Sequence, residues 1–198
     1  MRRPLALLVL AACSRAEPDP APPARTSASN VASREGAELV GTRPPEWQAD
    51  AWTTPAPLTL AGLRGKVVLA RWWTAGCPFC EASAPALRDM DRRFGPRGLA
   101  VLGFYHHKGD GPLDLAVVRE TASRYGFTFP LAVDTDWRTL DRWWAPRDNR
   151  RTFTSVSFLL DRRGVIRLVH PGGQYVRGDG VLEEIERTVE ALLAEPAG

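Results

Sequence analysis

Two cysteines separated by two residues, Cys77 and Cys80, stand between a short apolar run and a stretch with helical periodicity. The run, residues 66–73, follows a glycine and is rich in valine and tryptophan, which predicts a buried strand. Residues 77–94 place apolar side chains on one face and charged ones on the other, which predicts an amphipathic helix. A cysteine pair at a strand–helix junction is a fairly specific arrangement, and it restricts the folds open to the chain.

The rest of the chain alternates between strands and helices. The same criteria predict strands at 99–105 and 130–133, a helix at 113–125, a hairpin of strands at 155–161 and 165–170, and a final helix at 181–193 with Asp179 as its N-cap. Alternating elements imply parallel strands joined by crossover helices, and the late hairpin adds an antiparallel pair. The sequence therefore predicts an α/β fold with a mixed sheet.

The N-terminus has the pattern of an export signal. Two arginines follow Met1, and an apolar run then covers residues 5–12, far short of the roughly 20 residues that a transmembrane helix needs. The run ends in Leu-Ala-Ala-Cys, which resembles a bacterial lipobox. We therefore expect residues 1–12 to be a lipoprotein signal peptide and Cys13 to carry the lipid; the alternative is an ordinary signal with a chance cysteine. Ser14, rather than an aspartate, favours the outer membrane where a cell has two.

Composition divides the remainder into a linker and one domain. Residues 13–36 are largely proline, alanine and serine, which predicts a tether with little to bury. Residues 37–195 form the predicted domain. The net charge is +3, and loss of the signal would remove two arginines and no acidic residue, leaving +1. Since no basic cluster carries interleaved aromatic residues, no nucleic-acid partner is expected.

The chain has three cysteines, an odd number for an exported protein. Lipidation of Cys13 would leave Cys77 and Cys80 as a pair, and export would place that pair in an oxidising compartment. The odd cysteine count and the export signal therefore both favour a lipidated Cys13 and a pair formed by Cys77 and Cys80.

The residues around the pair predict which sulfur reacts. Gly76 permits a tight turn and Pro78 suits the first helical position, which makes Cys77 the N-cap. The free amides of Phe79 and Cys80 and the helix dipole would then stabilise a thiolate at Cys77. We therefore expect Cys77 to be the nucleophile and Cys80, one turn further in and more buried, to be the resolving thiol.

Two other uses of the cysteine pair remain open. A zinc site needs four ligands, and His106 and His107 would have to supply two of them, although neighbouring residues of a strand point to opposite faces. A purely structural disulfide would close a very short loop and would stabilise little. The strand–helix junction favours redox chemistry without a metal or cofactor.

The segment LRGKVVLARWWTAGCPFCEASAPAL resembles the active-site segment of TlpA/ResA-like thiol–disulfide oxidoreductases, and the similarity extends over residues 39–194. Pro85 lies five positions after Cys80, where that family has a helix-bending proline. The resemblance implies a thioredoxin-like fold, with a central mixed β-sheet flanked by helices, a C-terminal β-hairpin and a final helix. It also implies an exported, membrane-tethered enzyme that reduces disulfides of exported proteins with electrons from a membrane donor; oxidation of their thiols is the alternative.

Three positions depart from the family pattern. Ser155 stands where the family has a cis-proline, and because a cis bond before serine is costly we expect a trans bond there. Arg71 takes the strand position of a buried acid. We expect it to pair with an acid or to extend toward water, the alternative being an inward guanidinium that favours a thiolate. Ser83 replaces a glutamate, and nearby Glu81 is expected on the solvated surface.

Other side chains are expected to support the site by shaping or packing against it, namely Trp73, Thr74, Gly76, Pro78, Phe79, Pro85 and Ser155. Trp143 and Trp144 are either a substrate-facing patch or packing residues, since tryptophans bury a large area.

Two further functions compete with thiol–disulfide exchange. A peroxiredoxin-like peroxidase would use Thr74 and Cys77, which fit part of that family's motif, whereas its expected proline and arginine are replaced by Ala70 and Ser155. A copper carrier would combine the cysteine pair with a histidine, and the candidates are His106, His107 and His170.

Overall fold

A computed structural model describes residues 35–144 and 151–196. Six strands form one sheet, in the spatial order β1-β4-β3-β2-β5-β6. In chain order they are β1 (Ala51–Trp52), β2 (Val67–Trp73), β3 (Leu99–His106), β4 (Leu131–Asp134), β5 (Ser157–Leu160) and β6 (Ile166–His170). All seven residues of β2 are buried, because β2 is a central strand with helices on both faces of the sheet.

The strand directions confirm the predicted mixed sheet. Strands β2, β3 and β4 run parallel to one another. Strand β1 is antiparallel to β4, β5 is antiparallel to β2, and β5 and β6 form the predicted hairpin. The thioredoxin-like fold class, with a C-terminal hairpin and a final helix, is therefore confirmed.

Four α-helices within residues 35–144 and 151–196 cover the sheet: α1 (Pro78–Phe94), α2 (Leu115–Tyr125), α3 (Arg138–Trp143) and α4 (Val181–Ala194). Short 3-10 turns occur at Ala37–Leu39 and Gly95–Arg97. The alternation of β2 divides the core in two. Leu69 and Trp73 face a cluster built with α1, α2 and α4, whereas Ala70 and Trp72 face a cluster built with α3 and the segment before β2.

Four features differ from the sequence-based prediction. Strand β1 and helix α3 are short additions that periodicity did not reveal, having two and six residues. Strand β5 begins at Ser157 rather than 155, so that Ser155 lies in the loop before it. The N-cap of α4 is Gly180 rather than Asp179, although the Asp179 carboxylate still accepts hydrogen bonds from the amides of Val181 and Leu182.

The predicted signal peptide, Cys13 and nearly all of the predicted linker lie outside the described residues. In the part of the chain that the structure describes, none of the helices combines the length and the apolar character needed to cross a membrane.

Gly103 lies in the middle of β3, where two neighbours leave no room for a side chain. A Cβ atom there would lie 2.7 Å from Leu131 Cδ2 and 3.0 Å from Trp73 Nε1. We expect Gly103→Val to lower the free energy of unfolding by about 1–3 kcal/mol, as overpacking of a core does. Urea unfolding of the full chain measures this. Gly111→Val is the matched control, since a Cβ at Gly111 meets nothing within 4 Å; equal losses in both variants would contradict the steric explanation.

Candidate active site

Helix α1 begins as the sequence predicts. Gly76 has φ +72°, the left-handed conformation that turns the chain from β2 into the helix. Cys77 is the N-cap and Pro78 is the first helical residue. The Cys77 sulfur accepts a hydrogen bond from the amide of Cys80 at 3.2 Å. Of the two amides expected to face this sulfur, that of Cys80 makes the contact.

The two cysteines are joined as a disulfide, with their Cα atoms 5.2 Å apart. Cys77 is half-buried, whereas Cys80 is 2% exposed and belongs to the apolar cluster beneath α1. One sulfur is therefore open to a partner and the other is shielded behind it. This asymmetry is what a nucleophile and a resolving thiol require.

A groove of about 360 Å³ lies beside Cys77. Its walls come from the start of α1, the end of β3 and the loop before β5, and they include Thr74, Phe79, His106, Lys108, Phe153 and Ser155. Phe79 is 39% exposed, and its ring meets that of Phe153 edge to face with centroids 5.6 Å apart. The groove therefore presents apolar rings and one lysine next to the accessible sulfur.

The loop that contains Ser155 is fixed from two sides. The Thr154 hydroxyl lies 2.8 Å from Nε2 of buried His106, and the Ser155 hydroxyl accepts a hydrogen bond from the Gly173 amide. Among the described residues every peptide bond is trans, including the one before Ser155, as expected. Gly172 passes so close to Phe153 that a Cβ there would lie 2.2 Å from the Phe153 Cβ.

Arg71 points inward, contrary to the expectation that it would pair with an acid or reach water. It is 1% exposed. Nη1 donates to the hydroxyl of Ser157, Nη2 donates to the carbonyl of Gly173 at 2.7 Å, and the guanidinium lies 5.0 Å from the ring centroid of Tyr175. Burial lowers the pKa of Arg71, and Tyr175 opposes that effect.

The residues of α1 that follow the disulfide lie on different faces of the helix. Ser83 is fully buried, donates to the carbonyl of Phe79 and accepts from the amide of Tyr175. Pro85 lies within α1 on its exposed side, and Glu81 is exposed, as predicted. No acid–base group therefore stands on the buried side of α1 near Cys80 among these residues.

Trp73 and Thr74 connect β2 to the site. Trp73 is 1% exposed and packs against the rings of Tyr105, Tyr125 and Phe127. Thr74 is buried at the floor of the groove. Both support the turn that holds Cys77.

Trp143 and Trp144 are packing residues, not a substrate-facing patch. They are 3% and 2% exposed and both belong to the apolar cluster around Trp72 and Phe158. Their indole nitrogens donate to backbone carbonyls, which satisfies them inside the core.

Sequence reasoning missed three residues of this region. Phe153 and Lys108 line the groove, and Tyr175 covers Arg71. All three lie in loops, where periodicity carries no signal. A weak signal was present for Tyr175, since it follows two glycines that allow a close approach of the backbone.

The histidines do not form a metal site with the cysteines. In residues 35–144 and 151–196, no group of three or more His, Cys, Asp or Glu side chains is arranged to hold a metal ion. His106 contacts Thr154, His107 contacts the carbonyl of Gly111, and His170 packs against the ring of Tyr175. Each histidine thus has a structural neighbour of its own.

Burial keeps two of these histidines neutral. It lowers the pKa of His106 to about 3, with Lys108 adding to the effect. It also lowers the pKa of His170 to about 3, with Arg71 adding to the effect. Neither imidazole therefore carries a positive charge near neutral pH.

The fold and the site together define a thioredoxin-like protein with a CxxC disulfide at the start of the first helix. A family model described as the AhpC/TSA family matches residues 40–169. The chain belongs to that family.

Known relatives support the same class. Protein DipZ of Mycobacterium tuberculosis is 30% identical over 142 residues, which cover 70% of this chain but 20% of DipZ, so the chain spans about a fifth of that relative. The thiol-disulfide oxidoreductase ResA of Geobacillus kaustophilus is 26% identical over 133 residues, 67% of each chain. The predicted resemblance to ResA-like proteins is therefore confirmed.

Solved structures confirm the fold. The crystal structure of a thiol:disulfide interchange protein of the thioredoxin family from Chlorobium tepidum superposes with a TM-score of 0.59 at 18% identity, over 79% of this chain and 97% of the other.

We expect the free energy of unfolding to decrease as the pH is lowered, because His106 and His170 are buried in the folded chain. Their folded-state pKa values of about 3 lie below the usual 6.5, so between these values the unfolded chain binds the protons. Stability is therefore complete above about pH 6.5 and is lost as the pH falls, by up to about 1.4 kcal/mol per pH unit for each histidine. Urea unfolding at several pH values checks this.

His106→Gln should make that pH dependence shallower, because one of the two buried imidazoles is gone. His107→Gln is the control, since His107 is less buried and contacts a loop carbonyl. An unchanged slope in the His106 variant would show that its imidazole is protonated in the folded chain.

Proposed function

We propose that this chain is a thiol–disulfide oxidoreductase that uses Cys77 and Cys80 to reduce disulfides of exported proteins. The observation that carries the proposal is the asymmetry of the pair. Cys77 is half-buried at a helix N-cap and borders a groove, whereas Cys80 is buried one turn behind it. The similarity of the chain to the thiol-disulfide oxidoreductase ResA supports the same activity.

The site accounts for each step of the exchange. In the reduced chain the Cys77 thiolate, stabilised by the Cys80 amide and the helix dipole, attacks one sulfur of the substrate disulfide. The substrate S–S bond breaks, and one substrate thiolate leaves and takes a proton from water. The Cys80 sulfur then attacks Cys77, releases the second substrate thiolate and closes the disulfide seen in the structure. Two electrons pass to the substrate.

The next cycle requires a dithiol donor, and we propose that this donor is a membrane protein.

The groove fits an extended stretch of polypeptide beside Cys77, since Phe79 and Phe153 offer apolar contacts to side chains that flank the substrate sulfur. No cofactor enters the scheme, because the two sulfurs carry the electrons.

We expect Cys80→Ser to accumulate a mixed disulfide with a protein substrate, because Cys77 can attack but nothing releases it. Cys77→Ser should abolish exchange and trap nothing. Both variants are made in the full chain with Cys13→Ser, which removes the third thiol and is the matched control that must stay active. Trapping by the Cys77→Ser variant instead would reverse the assigned roles.

A redox titration of the Cys77–Cys80 pair, followed by mass-tagging of free thiols, tests the proposed direction. A midpoint near about −270 mV supports a reductant, whereas one near about −120 mV would indicate an oxidant. Absence of a reversible transition, or consumption of peroxide in place of disulfide exchange, would contradict the proposed function.

We further propose that residues 1–12 are cleaved and that lipid on Cys13 tethers the domain through the linker 13–36. We expect the full chain, expressed in a bacterium that processes lipoproteins, to incorporate labelled fatty acid and to sediment with membranes, preferentially with the outer membrane. Cys13→Ser should abolish the label and release the protein into the soluble exported fraction. Labelling that survives the substitution would contradict the anchor.

A further inference from the structure

Arg71 lies inside the protein without an acidic partner in the described residues. Its polar contacts are the Ser157 hydroxyl and the Gly173 carbonyl, and Nε has no hydrogen-bond partner. A buried charge is costly unless it is paired. The oxidised chain therefore keeps an arginine in its core whose positive charge is not neutralised there.

The position of Arg71 relates this charge to the disulfide. Along β2, Leu69 and Trp73 face the cluster that contains Cys80, and Arg71 between them faces the same side. Tyr175, whose ring lies over the guanidinium, donates its amide hydrogen to Ser83. Ser83 lies one turn after Cys80 on the buried side of α1. Arg71 therefore lies on the side of the sheet that α1 covers, and Tyr175 links its guanidinium to the helix turn that follows Cys80.

The other titratable groups of the elements packed against this part of α1 do not supply a second buried cation. They are Tyr105 and His106 of β3, Tyr125 of α2, His170 at the end of β6, Tyr175 of the segment that follows this strand, and Glu81 of α1 itself. Both histidines are neutral, and burial raises the pKa of Tyr125 and of Tyr175. Lys108 lines the groove on the exposed side of Cys77.

We propose that Arg71 is a positioning residue whose guanidinium is the counter-charge of the Cys80 thiolate in the reduced chain. The inference rests on the proposed function and deepens it. Reduction adds two electrons as the S–S bond breaks, one to each sulfur, and the anion left at Cys80 then faces a cation already in the core. A buried thiol without such a cation would be held protonated.

This arrangement prepares Cys80 for the resolving step. A thiolate at Cys80 attacks the mixed disulfide on Cys77 without first losing a proton to a base, and no base stands on the buried side of α1. The cation also stabilises the reduced chain relative to the same chain without it. It therefore raises the midpoint potential above that of a chain without Arg71. This difference is expected whether the potential itself indicates a reductant or an oxidant.

The first test isolates the Cys80 thiol in the full chain that carries Cys13→Ser and Cys77→Ala. Ultraviolet thiolate absorbance is followed against pH, with the chain that also carries Cys80→Ser as the blank. We expect Arg71→Gln to weaken the acidity of Cys80 by about tenfold or more, an upward shift of about one pKa unit. Glutamine is neutral and keeps an amide donor for the Gly173 carbonyl.

Arg64→Gln is the matched control. Arg64 is an exposed arginine just before β2, at the end of the strand remote from Cys77, so its loss removes the same charge from another place. We expect the Cys80 titration to be unchanged in this variant. An equal shift in both variants, or none in the Arg71 variant, overturns the proposal.

The second test compares the Cys77–Cys80 pair with and without Arg71 in the Cys13→Ser chain, equilibrated with glutathione. We expect Arg71→Gln to favour the disulfide by about tenfold, which corresponds to about 30 mV. The difference should vanish at low pH, where both thiols are neutral, and should grow as Cys80 ionises. A difference that is constant with pH would mean that Arg71 only holds the fold, and would overturn the proposal.

The measurement stays decisive if the Arg71 variant does not fold. In that case the chain with native Arg71 is used, and its buried Cys80 must titrate below the usual thiol value of about 8.5. A value at or above this overturns the proposal, because burial alone raises the pKa. If instead the wild-type pair shows no reversible reduction, the proposed function fails rather than the role of Arg71.

Discussion

The complete burial of β2 is the constraint on which the site depends. Hydrogen-bonded neighbours on both sides and helices on both faces fix its register, and the two-residue period then assigns each side chain to one core or the other. Trp72 anchors one layer and Trp73 the other. The strand therefore fixes the direction in which the chain enters Gly76. As a result, the sulfur of Cys77 lies where it accepts a hydrogen bond from the Cys80 amide in the first turn of α1.

The sequence predicted this junction because all of its determinants are local. Glycine, proline and the cysteine spacing act within a few residues, so that the N-cap at Cys77 and the buried place of Cys80 followed directly. The surroundings were harder to predict because they are assembled from distant segments. Gly173 lies 102 residues from Arg71, and Tyr175 lies 92 residues from Ser83. No local pattern reports such contacts.

The errors have the same physical origin. Arg71 was expected to find an acid or water, since charged residues are rarely buried alone. The fold instead surrounds the guanidinium with a hydroxyl, a carbonyl and a phenol ring, all neutral groups. Trp143 and Trp144 were ambiguous because a tryptophan pair suits either a surface or a core. Helix α3, with six residues, is too short for periodicity to identify the face on which Trp143 lies.

The segment from Pro171 to Tyr175 contacts both the groove beside Cys77 and the buried guanidinium of Arg71. On its outer side Gly172 packs against Phe153 and the Gly173 amide holds Ser155, while on its inner side the Gly173 carbonyl and the Tyr175 ring hold Arg71. The same short segment therefore holds both the loop that borders Cys77 and the guanidinium of Arg71, because Gly173 contacts Ser155 through its amide and Arg71 through its carbonyl.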